Sequence, residues 1–189
     1  GYIFVVIGLN IIGVLLIIDL IRSYVRDQLE IIANYDSLTR VHNRYSYNVI
    51  MEREVRRSQR YGSPLSLIVL DIDHFKKVND TLGHKAGDSV LREMTMMLQE
   101  RIRNSDYLCR IGGEEFAVIA VETHLANARG LAETLRAEIG AHSFSEAGKV
   151  TASFGVAELV KDDTADTFFR RADRALYLAK ERGRNRVET

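Results

Sequence analysis

The sequence has the length and composition of one globular domain with an additional segment attached. Its 189 residues are 46% hydrophobic and 28% charged, which suffices for a sizeable core. The 26 basic residues balance the 26 acidic ones, and without a basic excess nucleic acid is not an expected partner, although a small phosphorylated ligand is compatible. The single cysteine, Cys109, excludes an intrachain disulfide and fits a reducing compartment.

Residues 1–21 are predicted to form a hydrophobic, membrane-spanning helix. The run YIFVVIGLNIIGVLLIIDLI is long enough to cross a bilayer at about 1.5 Å per residue. Asn10 and Asp19 are costly inside a membrane, and a helix buried in an oligomer is the alternative. Arg22 and Arg26 follow directly, so the positive-inside rule places this helix in the inner (cytoplasmic) membrane and the downstream domain in the cytoplasm.

Residues 22–33 are predicted to form a helical stalk. Apolar side chains recur at alternating spacings of three and four from Ile18 to Tyr35, with Gln28 as a polar position in the series. This is the a/d pattern of a coiled coil, but a plain amphipathic linker explains so short a run equally well. A coiled coil would join a membrane element to a dimeric domain through one continuous helix.

Residues 34–189 are predicted to form one globular domain in which helices and strands alternate. Asn43 and Gly62 have the residue types that begin and end a helix, and residues 65–72 form a buried strand. The later elements are a helix from GDSVLREMTMMLQERIR, two strands around Gly112 and Gly113, a helix over about 125–140, a strand within 149–159, a helix within 164–183 and a short last strand. Because a hairpin interrupts the alternation, we predict an α/β (α+β) sandwich with a central, mostly antiparallel sheet flanked by helices, of the ferredoxin-like or palm type, instead of a doubly wound parallel sheet.

Carboxylates gather at the end of the first strand. Asp71 and Asp73 lie two residues apart and so share one face, while Ile72 points into the core. A solvated strand end would explain the two aspartates equally well. The hairpin sequence GGEEF favours a functional site, because it brings Glu114 and Glu115 beside the strand, where like charges repel. Mg²⁺ or Mn²⁺ would neutralise them and prefers such oxygen ligands.

Other polar residues indicate a ligand that carries phosphates and a base. Metal held by carboxylates commonly accompanies phosphoryl transfer. Asn79 and Asp88 could read a purine edge, but a helix cap and a charge at a helix N-terminus are equally good explanations. Lys180 and Arg184 lie four residues apart, a spacing that places both on one face of a helix, where they could bind phosphates together. A solvated basic helix end is the alternative.

Five segments, in order, strongly resemble the GGDEF domain of diguanylate cyclases. They are DSLTRVHNR, LDIDHFKKVNDTLGHKAGD, RIGGEEFAV, ASFGVA and ALYLAKERGRN. The resemblance implies an enzyme that condenses two GTP into cyclic di-GMP and releases two pyrophosphates, with a palm-like fold and two Mg²⁺ or Mn²⁺ ions in each active site. It also implies a homodimer, because each domain binds one GTP and the two in-line attacks require the domains to face each other.

The resemblance also assigns roles to individual residues. Asp71, the Ile72 carbonyl, Glu114 and Glu115 are similar to the metal ligands, and Glu114 is the expected acceptor of the 3′-hydroxyl proton. Lys76 resembles the residue that stabilises the transition state. The implied substrate contacts are the backbone near His74 and Phe75, Asn79 and Asp88 for guanine, His84, and Lys180 with Arg184 for the terminal phosphates.

An RxxD pair, Arg103 and Asp106, precedes the hairpin at the position of the family's inhibitory product site. A chance surface ion pair is the ordinary explanation of such a pair. Arginine can bind phosphate and stack on guanine, and aspartate can accept hydrogen bonds from a base edge. We therefore predict inhibition by the product, cyclic di-GMP.

The first motif departs from the family pattern. Arg40 and Val41 stand where glycine and leucine are usual, and Tyr45 stands where a second arginine is common. These changes concern the turn before the first helix of the domain and leave the metal chemistry untouched. The alternatives to an active cyclase are a catalytically inactive receptor for GTP or cyclic di-GMP, against which the intact Asp71 and Glu114 argue, and a cyclase that accepts ATP.

Overall fold

The chain begins with one long helix and then alternates between helices and strands. The computed structural model describes the backbone of residues 1–189 and the side chains of residues 1, 13–26 and 28–189. The elements in chain order are α1 Tyr2–Asn34, α2 Arg44–Tyr61, β1 Leu65–Ile72, α3 Phe75–Leu82, α4 His84–Arg101, β2 Tyr107–Arg110, β3 Glu115–Val121, α5 Leu125–Ala141, β4 Ala152–Glu158, α6 Ala165–Glu181 and β5 Val187–Glu188.

The five strands form one mixed sheet in the order β2-β3-β1-β4-β5. The central strand β1 is antiparallel to both β3 and β4, and β2 is antiparallel to β3. The short β5 is parallel to β4. All residues of β1 are buried, as expected for a strand covered on both faces. The prediction of a mostly antiparallel sheet flanked by helices is confirmed.

Two hydrophobic cores cover the two faces of the sheet. Even-numbered side chains of β1, such as Leu70, pack with α4 and α5, and odd-numbered ones, such as Val69, pack with Cys109 and with α2 and α6. Gly155 in β4 allows α6 to approach closely, because a Cβ atom at this position would lie 2.1 Å from the Ala172 carbonyl oxygen. The packing holds α6, which carries Lys180, firmly against the sheet.

Local sequence signals predicted several boundaries. The Asn43 side chain accepts a hydrogen bond from the Ser46 N–H at the start of α2, and the helix ends at Gly62, as predicted. The short helix α3 was not predicted as a separate element. Gly83, with a φ of 85°, separates α3 from α4, and this left-handed region is one that glycine adopts without strain.

The helix α1 runs without a break from Tyr2 to Asn34. The predicted membrane helix, residues 1–21, falls largely on residues 2–12, whose side chains lie outside the described part of the structure. Over the part that is described, no helix has both the length and the apolar character of a membrane span, so the predicted membrane helix has no structural support. In the predicted stalk, Val25 and Ile32 are 46% and 72% exposed, and the division into helix, stalk and domain stays a prediction.

Candidate active site

The carboxyl end of β1, the β2–β3 hairpin and the end of α6 meet at one edge of the sheet. Asp71 lies opposite Glu115 in the antiparallel β1–β3 pair, so the two side chains share a face. The Ile72 N–H donates to the Glu114 carbonyl over 3.3 Å. From α6, the Lys180 ammonium lies 2.7 Å from Asp71 Oδ2. The fold therefore brings Glu114 and Glu115 beside Asp71, as predicted. It also adds Lys180, which lies more than a hundred positions further along the chain.

The charge of Asp71 is poorly compensated. Its side chain is buried, with 8% of the residue exposed. Burial raises the pKa of Asp71 to about 6; Lys180 opposes this rise, and the charges of Glu114 and Glu115 add to it. At Asp71, Lys180 is thus opposed by burial and by the repulsion of two glutamates.

This set of oxygen donors fits a hard divalent cation. The excess negative charge and the carboxylate oxygens of Asp71, Glu114 and Glu115 are what Mg²⁺ or Mn²⁺ requires. Among the described side chains, no three acidic, histidine or cysteine residues lie close enough together to hold a metal ion between them. Lys180, and not a third carboxylate, is the group that touches Asp71.

Asp73 lies on the same face but has a different environment. It is 5% exposed, and its Oδ1 accepts a hydrogen bond from Ser153 Oγ at 2.7 Å. Its Oδ2 accepts from Thr151 Oγ1 at 2.7 Å and from the Asn185 backbone N–H at 3.1 Å. With three donors on one carboxylate, the buried charge is satisfied by the protein itself.

The N-terminus of α3 follows directly after these aspartates. His74, with a φ of 57°, precedes the helix and does not cap it with its side chain. The N–H groups of Phe75 and Lys76 have no acceptor among the described residues, and helix N-termini carry a partial positive charge. Such an end is suited to bind a phosphate group, and the substrate contact expected of the backbone near His74 and Phe75 stays a prediction.

Asn79 and Asp88 lie where α3 and α4 pack against each other. A Cβ atom on Gly87 would lie 2.0 Å from Asn79 Oδ1, so the Asn79 side chain fills the space beside Gly87, and Asp88 follows in sequence. Asn79 lies inside α3, and Gly83 is the residue that precedes α4. Asp88 is not in the first turn of α4 either, so neither alternative explanation of the pair applies. His84, the first residue of α4, is exposed.

The prediction that Lys180 and Arg184 share a helix face is wrong. The helix α6 ends at Glu181, and Arg184 lies in the turn beyond it with a φ of 63°. Gly183, with a φ of 107°, is the sequence signal that predicts this end. Lys180 therefore reaches Asp71 from the helix, whereas Arg184 is exposed on a separate turn.

The RxxD pair lies in the turn between α4 and β2. The Asp106 carboxylate accepts hydrogen bonds from the Arg103 N–H at 3.2 Å and from the Val121 N–H at 3.1 Å. The Arg103 side chain is exposed. Asp106 therefore holds the backbone of this turn, and the Arg103 side chain stays on the surface. This arrangement is not the surface ion pair between the two side chains that is the ordinary explanation of an RxxD sequence.

Sequence reasoning missed a link between the hairpin and the end of α1. Arg110 Nη1 donates to Asp36 Oδ1 over 2.9 Å, and its Nε and Nη2 donate to the Gly113 carbonyl over 3.1 and 2.7 Å. Asp36 also accepts from the N–H and hydroxyl of Thr39. Burial raises the pKa of Asp36, but the hydrogen bonds from Thr39 and Arg110 outweigh it and the pKa falls. The arginine two residues before GGEEF was the available signal.

The unusual first motif forms an ordered turn. Arg40, where the family usually has glycine, has a φ of 62°, a conformation that costs a non-glycine residue about 1–2 kcal/mol. The Arg40 N–H donates to the Asp36 carbonyl, and the Asp36 N–H donates to the Val41 carbonyl. Val41 is buried. The departure therefore adds strain to this turn without opening it.

Comparison with known proteins identifies the family. Residues 33–186 match the family model described as "Diguanylate cyclase, GGDEF domain". The match covers most of the chain, and the chain therefore belongs to the GGDEF family, as its five motifs predicted.

The sequences of two curated relatives match most of this chain. Diguanylate cyclase DgcP of Pseudomonas aeruginosa is 43% identical over 170 residues, which are 88% of this chain and 25% of DgcP. Response regulator PleD of Caulobacter vibrioides is 41% identical over 175 residues, which are 89% of this chain and 38% of PleD. The chain thus spans well under half of either relative.

Solved structures share the fold. One is the structure of the coiled coil and GGDEF domain of DgcB from Caulobacter crescentus in complex with c-di-GMP. It superposes with a TM-score of 0.89 at 29% identity, over 96% of this chain and 98% of the DgcB chain. The active GGEEF domain of a diguanylate cyclase from Vibrio cholerae has a TM-score of 0.74 at 36% identity, over 77% of this chain and 95% of that chain. These likenesses agree with the mixed sheet and flanking helices described above.

Proposed function

We propose that this chain is an active diguanylate cyclase that condenses two GTP into cyclic di-GMP and two pyrophosphates. The observation that supports this best is the buried Asp71, whose pKa is raised to about 6, beside Glu114, Glu115 and the open N-terminus of α3. A purely structural carboxylate would be paired like Asp73. The family model, the name of DgcP and the c-di-GMP in the DgcB structure support the same activity.

The proposed cofactor is Mg²⁺ or Mn²⁺, two ions per active site. Asp71, the Ile72 carbonyl, Glu114 and Glu115 would hold them. When bound, such ions supply charge stabilisation at the α-phosphate and lower the pKa of the attacking hydroxyl. Glu114 is the proposed acceptor of the 3′-hydroxyl proton.

The remaining residues would bind and orient GTP. The free N–H of Phe75, the backbone near His74 and the side chain of Lys76 would contact phosphate oxygens, and Lys76 would stabilise the transition state. Asn79 and Asp88 would read guanine, the aspartate accepting from N1–H and the exocyclic amine. His84 is exposed at the start of α4, beside this pair, and would also contact GTP.

Two cations from the C-terminal part of the domain would hold the terminal phosphates. Lys180 pairs with Asp71 in the structure, and we propose that it exchanges this carboxylate for the triphosphate when GTP binds. Arg184 would reach the phosphates from the turn after α6. Both residues act by positioning and by charge, which is how most phosphoryl transfer is catalysed.

The proposed active form is a homodimer. Each domain holds one GTP, so the two attacks require two domains face to face. The exposed seam of α1, which includes Val25 and Ile32, would pair two chains, and the Asp36–Arg110–Gly113 link would connect the end of that helix to the hairpin. Removal of residues 1–33 tests this: a fragment with unchanged activity and concentration dependence would contradict a role for the stalk.

Product inhibition is proposed at Arg103 and Asp106. The exposed Arg103 would bind a phosphate of cyclic di-GMP and stack on guanine, and the ordered Asp106 would hold the turn that presents it. In Arg103→Ala we expect the inhibition constant for cyclic di-GMP to rise about tenfold or more, since a charge-assisted contact is lost. Unchanged inhibition would contradict the proposal.

Location at the inner membrane, with the domain in the cytoplasm, also stays a proposal that rests on the composition of residues 1–21. Fractionation of cells that produce the full chain, compared with a chain lacking residues 1–21, tests it. Equal distribution of the two chains between membrane and soluble fractions would contradict it.

The turnover assay decides the activity. The full chain, incubated with GTP and Mg²⁺ over a range of protein concentrations, is expected to form cyclic di-GMP, with a specific activity that rises as dimers form. Binding of GTP or cyclic di-GMP without turnover would favour an inactive receptor. Parallel assays with ATP, using Asn79→Ala and Asp88→Ala as controls, test the choice of base.

A further inference from the structure

We infer that Asp73 is a positioning residue that holds the turn carrying Arg184 in place for the terminal phosphates of GTP. The inference rests on the proposed function and extends it to a residue that contacts neither metal nor substrate. The observation behind it is the 3.1 Å hydrogen bond from the Asn185 backbone N–H to Asp73 Oδ2, which joins positions 112 residues apart.

The turn after α6 has an unfavourable backbone conformation, and within the turn Arg186 Nε donates to the Arg184 carbonyl over 3.3 Å. Gly183, Arg184 and Asn185 have φ values of 107°, 63° and 45°, three consecutive residues in the left-handed region, and two of them are not glycine. Non-glycine residues persist in this region only where the surrounding structure holds them. The turn therefore needs external contacts at its centre.

The contacts at the two ends of the turn are backbone contacts. The Arg184 N–H donates to the Ala179 carbonyl at the end of α6, over 3.0 Å, and the Phe154 N–H of β4 donates to the Arg186 carbonyl over 2.9 Å. Between them, Asp73 binds the Asn185 N–H, and Arg136 contacts the Asn185 side chain over 3.1 Å. Asp73 is the carboxylate that anchors the middle of this turn from within the protein.

Asp73 is itself held rigidly. The residue is 5% exposed, and its carboxylate is oriented by Thr151 and Ser153 through two 2.7 Å hydrogen bonds. The Asp73 N–H donates to the Thr151 carbonyl over 2.9 Å. A buried charge with this many donors is well suited to fix the position of a backbone.

The consequence concerns one part of the substrate. The Asp73 carboxylate lies two residues after Asp71 and joins the strand that ends in the proposed metal site to the turn that bears Arg184. Loss of this bond would free Arg184 and leave the guanine contacts of Asn79 and Asp88 intact. Affinity for the triphosphate should therefore fall while affinity for the guanosine part is kept.

The test compares two ligands on full-length variants in the presence of Mg²⁺. The first is 3′-deoxy-GTP, which has the triphosphate but lacks the attacking hydroxyl and so cannot react; the second is GMP, which lacks the terminal phosphates. For Asp73→Ala we expect the dissociation constant of 3′-deoxy-GTP to rise about tenfold, and that of GMP to change less than about twofold. With GTP, KM should rise more than kcat falls.

Two further variants separate positioning from stability. Asp73→Asn keeps an oxygen for the Asn185 and Thr151 donors and offers its amide to Ser153, so it should restore 3′-deoxy-GTP binding. Ser153→Ala removes a hydrogen bond to Asp73 and leaves the bond to Asn185, so it should lower stability without changing the preference between the ligands. If Asp73→Ala does not fold, Asp73→Ser takes its place, because its shorter side chain does not reach Asn185.

The outcomes distinguish this inference from the proposed activity. Equal losses for 3′-deoxy-GTP and GMP, or no loss for either, would overturn the positioning role. A selective loss together with no cyclic di-GMP from the wild-type chain would uphold the positioning role and overturn the cyclase. Failure of the wild-type chain to bind 3′-deoxy-GTP would overturn both.

Discussion

Asp71 and Asp73 are two positions apart at the same end of β1 and on the same face of the sheet. Their carboxylates nevertheless have very different hydrogen-bond and charge partners. Asp73 receives three hydrogen bonds from the protein. Asp71 has one lysine and the repulsion of two glutamates, and burial raises its pKa to about 6. Both are almost completely buried, so exposure does not distinguish them.

The difference indicates that two equally buried carboxylates can be told apart by how completely the protein pairs their charge, and it supports the proposal that Asp71 is the functional one. A carboxylate that the protein has fully paired gains little from a cation, because its lone pairs are occupied. One that is left with excess negative charge around it binds a cation strongly and is costly without one. Uncompensated buried charges, which lower the stability of the fold, are found mainly at functional sites.

The largest expected effect is on activity at Asp71. Asp71→Asn should reduce the formation of cyclic di-GMP by about a thousandfold or more, because it removes a proposed metal ligand and charge at the reacting phosphate. The measurement is turnover of GTP with Mg²⁺, with far-UV circular dichroism to establish the fold. A variant that keeps more than about a tenth of the wild-type rate would break the comparison, since Asp71 would then resemble Asp73.

The next effect is on stability, and only the substitution of Asp73 should lower it. Asp73→Ala leaves the donors of Thr151, Ser153 and Asn185 without their acceptor and should lower the free energy of unfolding by about 3 kcal/mol. Asp71→Asn should leave it unchanged or raise it. Urea denaturation of the metal-free variants at pH 7.5 measures both. Equal destabilisation of the two variants would contradict the contrast.

A smaller effect concerns pH. The pKa of Asp71 in the folded protein, about 6, lies above the value of about 3.9 expected in the unfolded chain. The folded state therefore binds the proton more tightly, and this group destabilises the fold above pH 6 and ceases to do so as the pH falls toward 4. Without metal, the free energy of unfolding of wild type relative to Asp71→Asn should rise by roughly 2 kcal/mol between pH 7.5 and 4.5. A difference that does not vary with pH would show that Asp71 is as well compensated as Asp73.

The smallest expected effect is that of weakening the Arg110 link, which holds the hairpin that places the two glutamates beside Asp71. Arg110→Lys cannot bind Asp36 and the Gly113 carbonyl together, because one ammonium replaces a planar group with several donors. We expect about a fivefold loss of cyclase activity and a stability loss of about 1 kcal/mol. Arg101→Lys, at the more exposed pair with Glu138, is the matched control and should change little. Identical effects of the two variants would remove the special role of the Arg110 link.

Local elements of the fold were predictable, because short patterns specify them. The eight apolar-rich residues of β1, the cap at Asn43 and the Gly-Gly turn of the hairpin each depend on neighbours in sequence. The helix predicted within 164–183 agrees with α6, but the four-residue spacing of Lys180 and Arg184 is misleading, because the helix ends before Arg184. The short helix α3 was missed because it lies between the motif residues and is separated from α4 by Gly83 alone.

The contacts that define the site could be predicted only in part. Adjacent strands made the approach of Glu114 and Glu115 to Asp71 foreseeable. The pairing of Lys180 with Asp71, of Asn185 with Asp73 and of Arg110 with Asp36 joins distant positions. No periodicity of a single segment encodes such contacts, since they arise from how α6 and the end of α1 pack against the sheet.

By itself, the sequence determined the family, the sheet-forming segments and the approach of Glu114 and Glu115 to Asp71. Motif order and local periodicity carry this information. Only the tertiary structure decided which of the two aspartates would be satisfied and which would keep an uncompensated charge. The physical reason is that the pKa and the free coordination of a buried carboxylate depend on desolvation and on donors from distant parts of the chain, which come into place only when the helices pack on the sheet.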